Sequence, residues 1–532
     1  MATTTEYTTP DTLIAALMHR EAYDHPVDTI RLCETHISWV FLTGDFTYKI
    51  KKPVNFGFLD FSTLKKRQYY CEQEVRLNAR LAPHLYLDTV PICGEATSPH
   101  INGQGLAIEY AVKMRQFDTN QEFDKLLANN KLTRAHINET AEVIANFHSS
   151  IAIADDDSAF GTPQAVQQPV LENFEQLHQS GDDWLSEHQL DNPLAQIQDW
   201  SNTQYNQLET TFRERKKNGF VRECHGDLHL RNIVIYERRI TPFDCIEFNP
   251  NLRWIDVMSE LAFLLMDIDD HNRPDLSRQL LNRYLEITGD YAGLSVLRFY
   301  LVYRAMVRAK VGGLQRRQSG NENDSLNREI SNYITLACRY SKPTKPKLII
   351  CHGLSASGKT YLSQLLLEQT DIIRLRSDVE RKRIFAINDT TRDTSGINKG
   401  IYNKQASQHV YEHLLSLASS MLNAGYSVIV DAAFLQKDQR QKFCQHASQY
   451  NVPFLILHSM VNQDIQLQRI HARQQQGLDA SDANSTVLKH QLLNHEPLSK
   501  TELNYTITID TANNITLNEV ISWLKKAGHQ KA

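Results

Sequence analysis

The sequence lacks the features that would assign it to several large protein classes. Its eight cysteines are scattered, at 33, 71, 93, 224, 245, 338, 351 and 444, and no C-x-x-C pair occurs. That spacing argues against a zinc site or a disulfide framework. No apolar run approaches the ~20 residues needed to cross a bilayer. The opening residues, MATTTEYTTPDT, contain no basic cluster followed by an apolar stretch, so no secretory leader is read there. A basic surplus is missing too: 57 Lys and Arg stand against 62 Asp and Glu, for a net charge of -5. This balance weighs against nucleic acid as the main partner, because phosphate backbones are held through basic patches. No internal repeat or low-complexity array is visible. These absences lead to the expectation of a cytoplasmic globular protein with small-molecule partners and no membrane attachment. The oligomeric state is left open.

What is present is length and patterning. At 532 residues, 41% hydrophobic and 22% charged, the chain is too long for one core and expected to form two or three domains. Tyr340-Ser341-Lys342-Pro343-Thr344-Lys345-Pro346-Lys347 separates a helical segment from the apolar run Leu348-Ile349-Ile350-Cys351, and such Pro-rich, charged stretches serve as connectors. The expected boundaries are therefore a first domain over 1–340, a linker over 341–347 and a second domain over 348–532. Gln315 to Asn327 reads as a loop inside the first domain. Upstream, residues 28–52 read as three strands, 64–81 as a helix, Glu109 to Met114 as a strand and 120–218 as mostly helical. That is an α+β, two-lobed layout. Downstream, strands at 348–352, 371–376, 427–431, 453–458 and 505–509 alternate with helices, which implies an α/β domain with a parallel sheet.

The second half carries Gly353-Leu354-Ser355-Ala356-Ser357-Gly358-Lys359-Thr360, a complete G-x-x-x-x-G-K-[ST] phosphate loop between a strand and a helix. Glycines let backbone N–H groups of residues such as Ser355, Ala356, Ser357 and Gly358 curl around phosphates. Lys359 is placed to reach the β- and γ-phosphates of ATP, and Thr360 to hold Mg²⁺. Asp431, closing the apolar strand Val428-Ile429-Val430, is a second Mg²⁺ candidate. Asp378, after the strand ending in Arg376, is placed to accept a substrate hydroxyl's proton; its alternative is a helix cap. Arg381 and Arg383 are candidates for an anionic substrate. Arg469 and Arg473 share a helix face and are candidates either for a lid over the triphosphate or for a solvated basic surface. These residues resemble the P-loop kinases: gluconate kinase, the kinase domain of polynucleotide kinase, and zeta toxins. The resemblance covers roughly 347–520. It implies that Asp378 is the hydroxyl-activating residue and Arg473 a lid arginine. No D-x-D-G-T phosphatase motif accompanies it.

The first half carries His225-Gly226-Asp227-Leu228-His229-Leu230-Arg231-Asn232, followed by Pro242-Phe243-Asp244-Cys245-Ile246-Glu247. Phosphoryl transfer needs a carboxylate beside the acceptor hydroxyl and oxygen ligands for Mg²⁺, and Asp227, Asn232 and Asp244 supply both. His225 is expected to brace the loop. Asp256 and Asp267 flank a helix and are expected to cap it as surface charges; the alternatives are support of the loop through hydrogen bonds or binding of a cationic substrate. The constellation resembles the aminoglycoside phosphotransferase and choline-kinase-like branch of the protein-kinase fold, over roughly 25–335. The resemblance implies that Asp227 is the catalytic base, that Asn232 and Asp244 ligate Mg²⁺, and that Lys49 pairs with Glu74 to hold the α/β-phosphates. Lys51 shares the strand face of Lys49, so the choice between them stays open. Two departures stand out. Glu247 follows the metal Asp by three residues rather than two, and the turn Glu34 to Ser38 has no glycine.

The expectation is a bifunctional ATP-dependent phosphotransferase acting on small-molecule hydroxyls. The alternatives are that one half is a nucleotide-sensing module, or that the C-terminal half is a nucleic-acid or nucleotide-sugar kinase.

Overall fold

The structure, a computed structural model, describes residues 10–57, 59–319, 324–386, 403–476, 485–513 and 515–526; the side chains of 180–183, 318–319 and 473–476 lie outside that description. Packing divides the chain into two compact units, 1–169 with 212–267, and 170–211 with 268–532.

The first unit is built on six antiparallel strands: β1 Arg31–Glu34, β2 Ser38–Leu42, β3 Phe46–Lys51, β4 Tyr86–Glu95, β5 Ser98–Ile101 and β6 Ala107–Arg115, in the order β1-β2-β3-β6-β4-β5. Strand alternation sets the two faces. Phe41, Tyr48 and Ile50 enter one core with Val90 and Ile92, which sends Lys49 and Lys51 to the opposite face. The helix Leu64–Asn78 is started by Thr63, whose hydroxyl accepts from the Lys66 N–H at 3.3 Å, and carries Glu74. Two small antiparallel pairs follow. β7 Val221–Glu223 pairs with β10 Trp254–Asp256, and β8 Ile233–Tyr236 forms a hairpin with β9 Arg239–Pro242.

The second unit holds five parallel strands: β11 Leu348–His352, β12 Ile372–Arg376, β13 Ser427–Asp431, β14 Phe454–Met460 and β15 Thr506–Asp510, in the order β12-β13-β11-β14-β15. Each lies within a residue or two of its expected position. The strand order reverses at β11, and ligands of open α/β sheets bind at such a switch point; the phosphate loop leaves that strand. Ile349, Cys351, Leu362, Leu366, Ile429 and Leu457 form the core beneath it.

The division by packing does not fall at 341–347. The helices Pro274–Thr288, Leu294–Ser319 and Asp324–Ser341 belong to the same unit as the parallel sheet, because the first of them docks on β12 through buried polar contacts. The polar stretch from Gln315 is also less of a loop than expected: helix continues to Ser319 and resumes at Asp324, with residues 320–323 outside the described set. Gln and Arg are good helix formers, and the Arg316 guanidinium is packed 4.9 Å from the Trp184 ring. Among the described residues, no helix is long and apolar enough to cross a membrane.

Candidate active sites

In the first unit, Lys49, Glu74 and Asp244 converge from a strand, a helix and a loop. Lys49 Nζ lies 2.8 Å from Glu74 Oε1 and 2.6 Å from Asp244 Oδ1. Lys51 Nζ lies 2.7 Å from Glu74 Oε2 and pairs also with Glu247. Both lysines thus share Glu74. They differ in reach: Lys49 touches the half-exposed Asp244, whereas Lys51 is wholly buried under the Phe61 ring, 4.9 Å from its centroid. Lys49 is therefore the lysine that faces the site. Glu247, the displaced acidic partner, is consumed by Lys51.

The electrostatics follow from this packing. Burial alone would push Glu74 up, but Lys49 and Lys51 outweigh it and hold the carboxyl well below its usual range. Burial pushes Glu247 upward, and the neighbouring Glu74 charge adds to that against the pull of Lys51. Burial disfavours charge on Lys49, but Asp244 and Glu74 reverse this and keep it firmly protonated.

Asp227 sits on the loop after β7. Asn232 Nδ2 donates to the Asp227 carbonyl at 2.9 Å and to its Oδ2 at 3.1 Å, so the five-residue spacing closes a tight turn. His229 Nε2 lies 3.4 Å from the same carboxylate. His225 is fully buried; its Nε2 meets the Phe243 carbonyl at 2.8 Å, and its Nδ1 accepts from the Asp227 N–H at 3.3 Å. Burial lowers its pKa, and its two contacts brace the loop against the segment carrying Asp244. Asp244 itself adopts φ +64°, a left-handed conformation that costs a non-glycine residue energy and gathers at functional sites. Its carboxylate meets Lys49, while Asn232 meets Asp227.

Two acidic residues buttress this loop. Glu260 Oε2 accepts from the Gly226 N–H at 2.7 Å while Oε1 lies 3.0 Å from His148 Nε2. Asp267 Oδ2 accepts from the Leu230 N–H at 2.8 Å. Asp256 instead caps the helix Val257–Asp270 through the Met258 N–H and pairs with Arg215 at 2.6 Å. Glu260 was not legible in the sequence, since its partners lie 34 and 112 residues away.

In the second unit, the phosphate loop bends sharply out of β11 and opens the helix Lys359–Gln369. At Gly353 a Cβ would stand 2.6 Å from both Ser357 Oγ and Ser459 Oγ, so only glycine fits where β14 crosses behind the loop. Ser357 Oγ and Ser459 Oγ are 2.6 Å apart, and Thr511 Oγ1 donates to the Ser357 carbonyl at 2.7 Å. Lys359 Nζ donates to the carbonyls of Gly353 and Leu354 at 3.1 and 2.8 Å. Asp431 is buried behind the loop, with Ser363 Oγ donating to it at 3.3 Å. Thr360 is exposed at the helix start, and Asp378 lies in the first turn of the helix Ser377–Ile384.

Other basic candidates sort themselves differently. Arg469 donates to Ala356 O at 3.3 Å and to Thr511 Oγ1 and O at 2.9 and 2.7 Å, so it ties the loop to the end of β15. The Arg473 side chain lies outside the described residues. Arg383 pairs with Glu380 and donates to the Glu286 carbonyl, a structural employment. Sequence reasoning missed Gln491, whose Oε1 accepts from the Ser355 N–H at 2.7 Å; a lone glutamine 136 residues away carries no local signal.

The donor sets suit a hard cation in both places. Asp227 and Asp244 offer carboxylate oxygens and Asn232 its Oδ1, and the Asp244 side chain is 43% exposed and therefore reachable. Asp431 and Thr360 are likewise oxygen donors beside backbone amides at a helix N-terminus, which favour phosphate.

Residues 348–498 match the AAA domain family. An uncharacterized protein of Mycobacterium tuberculosis is 27% identical over 458 residues, covering 86% of this chain and 89% of its own. A gluconokinase from Sinorhizobium meliloti is similar over 34% of this chain and 90% of its own, at 19% identity and a TM-score of 0.23. A choline kinase from Cryptosporidium parvum is similar over 62% of this chain and 95% of its own, at 12% identity and a TM-score of 0.39.

Proposed function

We propose that the protein is an ATP-dependent phosphotransferase with two separate sites, each acting on the hydroxyl of a small molecule. The observation that carries the reading is the meeting of Lys49, Glu74 and Asp244 at 2.8 and 2.6 Å in one unit, while a complete phosphate loop with its own lysine and carboxylate stands in the other. In the first site, Lys49 holds the α/β-phosphates, Glu74 fixes Lys49, and Asn232 with Asp244 holds Mg²⁺. Asp227 accepts the proton of the acceptor hydroxyl. In the second site, Lys359 and the amides of Ala356 and Gly358 hold the phosphates, joined by those of Ser355 and Ser357 once these leave Gln491 and the Leu354 carbonyl. Thr360 and Asp431 hold Mg²⁺, and Asp378 accepts the proton. Bound MgATP supplies the phosphoryl group and the charge neutralisation its transfer needs.

The test is a metabolite-extract screen for ATP-dependent gain of one phosphoryl group, run on the full chain and on Asp227→Asn, Asp378→Asn and the double variant. The reading expects each single variant to abolish a different product. Products that persist in the double variant refute it. A half that binds ATP but yields no product dependent on its Asp is a nucleotide sensor instead.

A further inference from the structure

The helix Pro274–Thr288 precedes the proline-rich connector in sequence yet belongs to the compact unit of the parallel sheet. Its polar face holds two elements of that sheet's site. Glu286 is 3% exposed, and its Oε1 accepts from Arg374 Nε at 2.9 Å and Nη2 at 2.7 Å. Arg376 Nη1 lies 4.0 Å from its other oxygen. Asn282 Oδ1 accepts from the Arg374 N–H at 2.8 Å, which saturates a strand edge. Arg278 donates to Asp371 Oδ1 at 2.6 Å, and Gln279 Oε1 accepts at 2.7 Å from Gln364 on the phosphate-loop helix.

Beyond Asp378, Arg383 returns to the same helix, donating to the Glu286 carbonyl and pairing with Glu380. Gly289 ends the helix at φ +72°, and a Cβ there would stand 2.8 Å from Arg383 Nε. Asp378 is therefore bracketed: Arg374 and Arg376 before it and Arg383 after it are fastened to one helix. Buried ionic contacts contribute little net stability, since desolvation offsets their attraction. What this arrangement does supply is a fixed position for the element between the arginines.

We propose that Glu286 is a positioning residue of the phosphate-loop site, its carboxylate holding the end of β12 and through it Asp378, from a helix that precedes the connector in sequence but packs in the same unit as the loop. The inference rests on the reading of Asp378 as the acceptor-side base.

The test uses the full chain with Asp227→Asn, so that phosphate release from ATP, with water as the acceptor probe, reports the second site. Glu286→Ala is expected to lower kcat by about tenfold to a hundredfold, as misplacement near 1 Å does, with KM for ATP changed less than about twofold. Glu286→Gln, which keeps an acceptor for Arg374, should recover most of the loss. Hydrogen exchange should quicken over 372–378 in Glu286→Ala and stay at the parent's rate over 353–360. Equal losses in kcat and ATP affinity, or parental kinetics with parental exchange, overturn the proposal. If Glu286→Ala does not fold, Gly289→Ala, which crowds Arg383 and strains the left-handed helix end next to Glu286, should show the same split, more weakly; parental kinetics and exchange in that variant overturn it too. Full turnover in Asp378→Asn would refute the catalytic reading, and the exchange pattern would then decide the anchoring by itself.

Discussion

Replacing Lys51 by methionine tests the electrostatics of the first site at its most buried point. Two lysines and three carboxylates meet there: Lys49 and Lys51 with Glu74, Asp244 and Glu247. Fully ionised, the group carries one surplus negative charge. Methionine preserves most of the apolar stem and leaves two surplus negatives, with Glu74 and Glu247 facing each other without the cation between them. Removing one partner of a buried pair costs roughly 3–5 kcal/mol. The protein reduces that cost by keeping a proton on Glu247, whose pKa burial already pushes up. A carboxyl with a folded pKa above its unfolded value binds more protons when folded. Stability therefore falls as pH rises from the unfolded value, near 4.3, toward the folded one, by up to about 1.4 kcal/mol per pH unit. Lys51→Met should be destabilised more at pH 8 than at pH 5. The measurement is urea titration read by hydrogen exchange over 46–51, which isolates the first unit. A loss below about 1 kcal/mol, or the same loss at both pH values, would refute the account.

Asp227→Asn should cut transfer at the first site by ~10²–10⁴-fold, roughly 3–5 kcal/mol of barrier, while leaving the urea midpoint of that unit unchanged; steady-state kinetics and the same titration check both. Lys359→Ala should abolish the rise in melting temperature that MgATP gives the second unit, which for a site at a hundred times its Kd corresponds to about 2.7 kcal/mol, as followed by thermal scanning. Glu260 is buried, which raises its pKa, but His148, His225 and the Gly226 N–H together hold it at about 2. A depressed carboxyl contributes stability above its unfolded pKa and loses it as pH falls toward the folded value, here about 3 kcal/mol between pH ~5 and ~2. Acid titrations should show Glu260→Gln with a shallower loss over that window than the parent.

The parallel sheet and the phosphate loop were legible because their determinants are local. Continuous apolar runs mark buried strands, and the loop's glycines, lysine and threonine must be contiguous to wrap a phosphate. The six-stranded antiparallel sheet was only half legible. β1, β2, β3 and β6 showed alternation or turn residues, but β4 contains Pro91 and Gly94 and reads poorly as a strand until its pairing with β6 is seen. The polar run after Gln315 misled because exposed helix ends are as hydrophilic as loops.

By itself, the sequence determined that two motifs exist with the spacing that phosphate handling calls for, each with its own carboxylates, since spacing of five to eight residues specifies a loop's chemistry. Tertiary structure alone decided that Lys49 rather than Lys51 meets Asp244, what occupies Glu247, and that Glu260 supports the loop carrying Asp227. It also decided that residues 170–211 and 268–347, ahead of the connector's end, pack in one unit with the parallel sheet. These are pairings of charges tens to hundreds of residues apart. A buried charge must find a partner, but only the folded chain determines which of many candidates lies within reach.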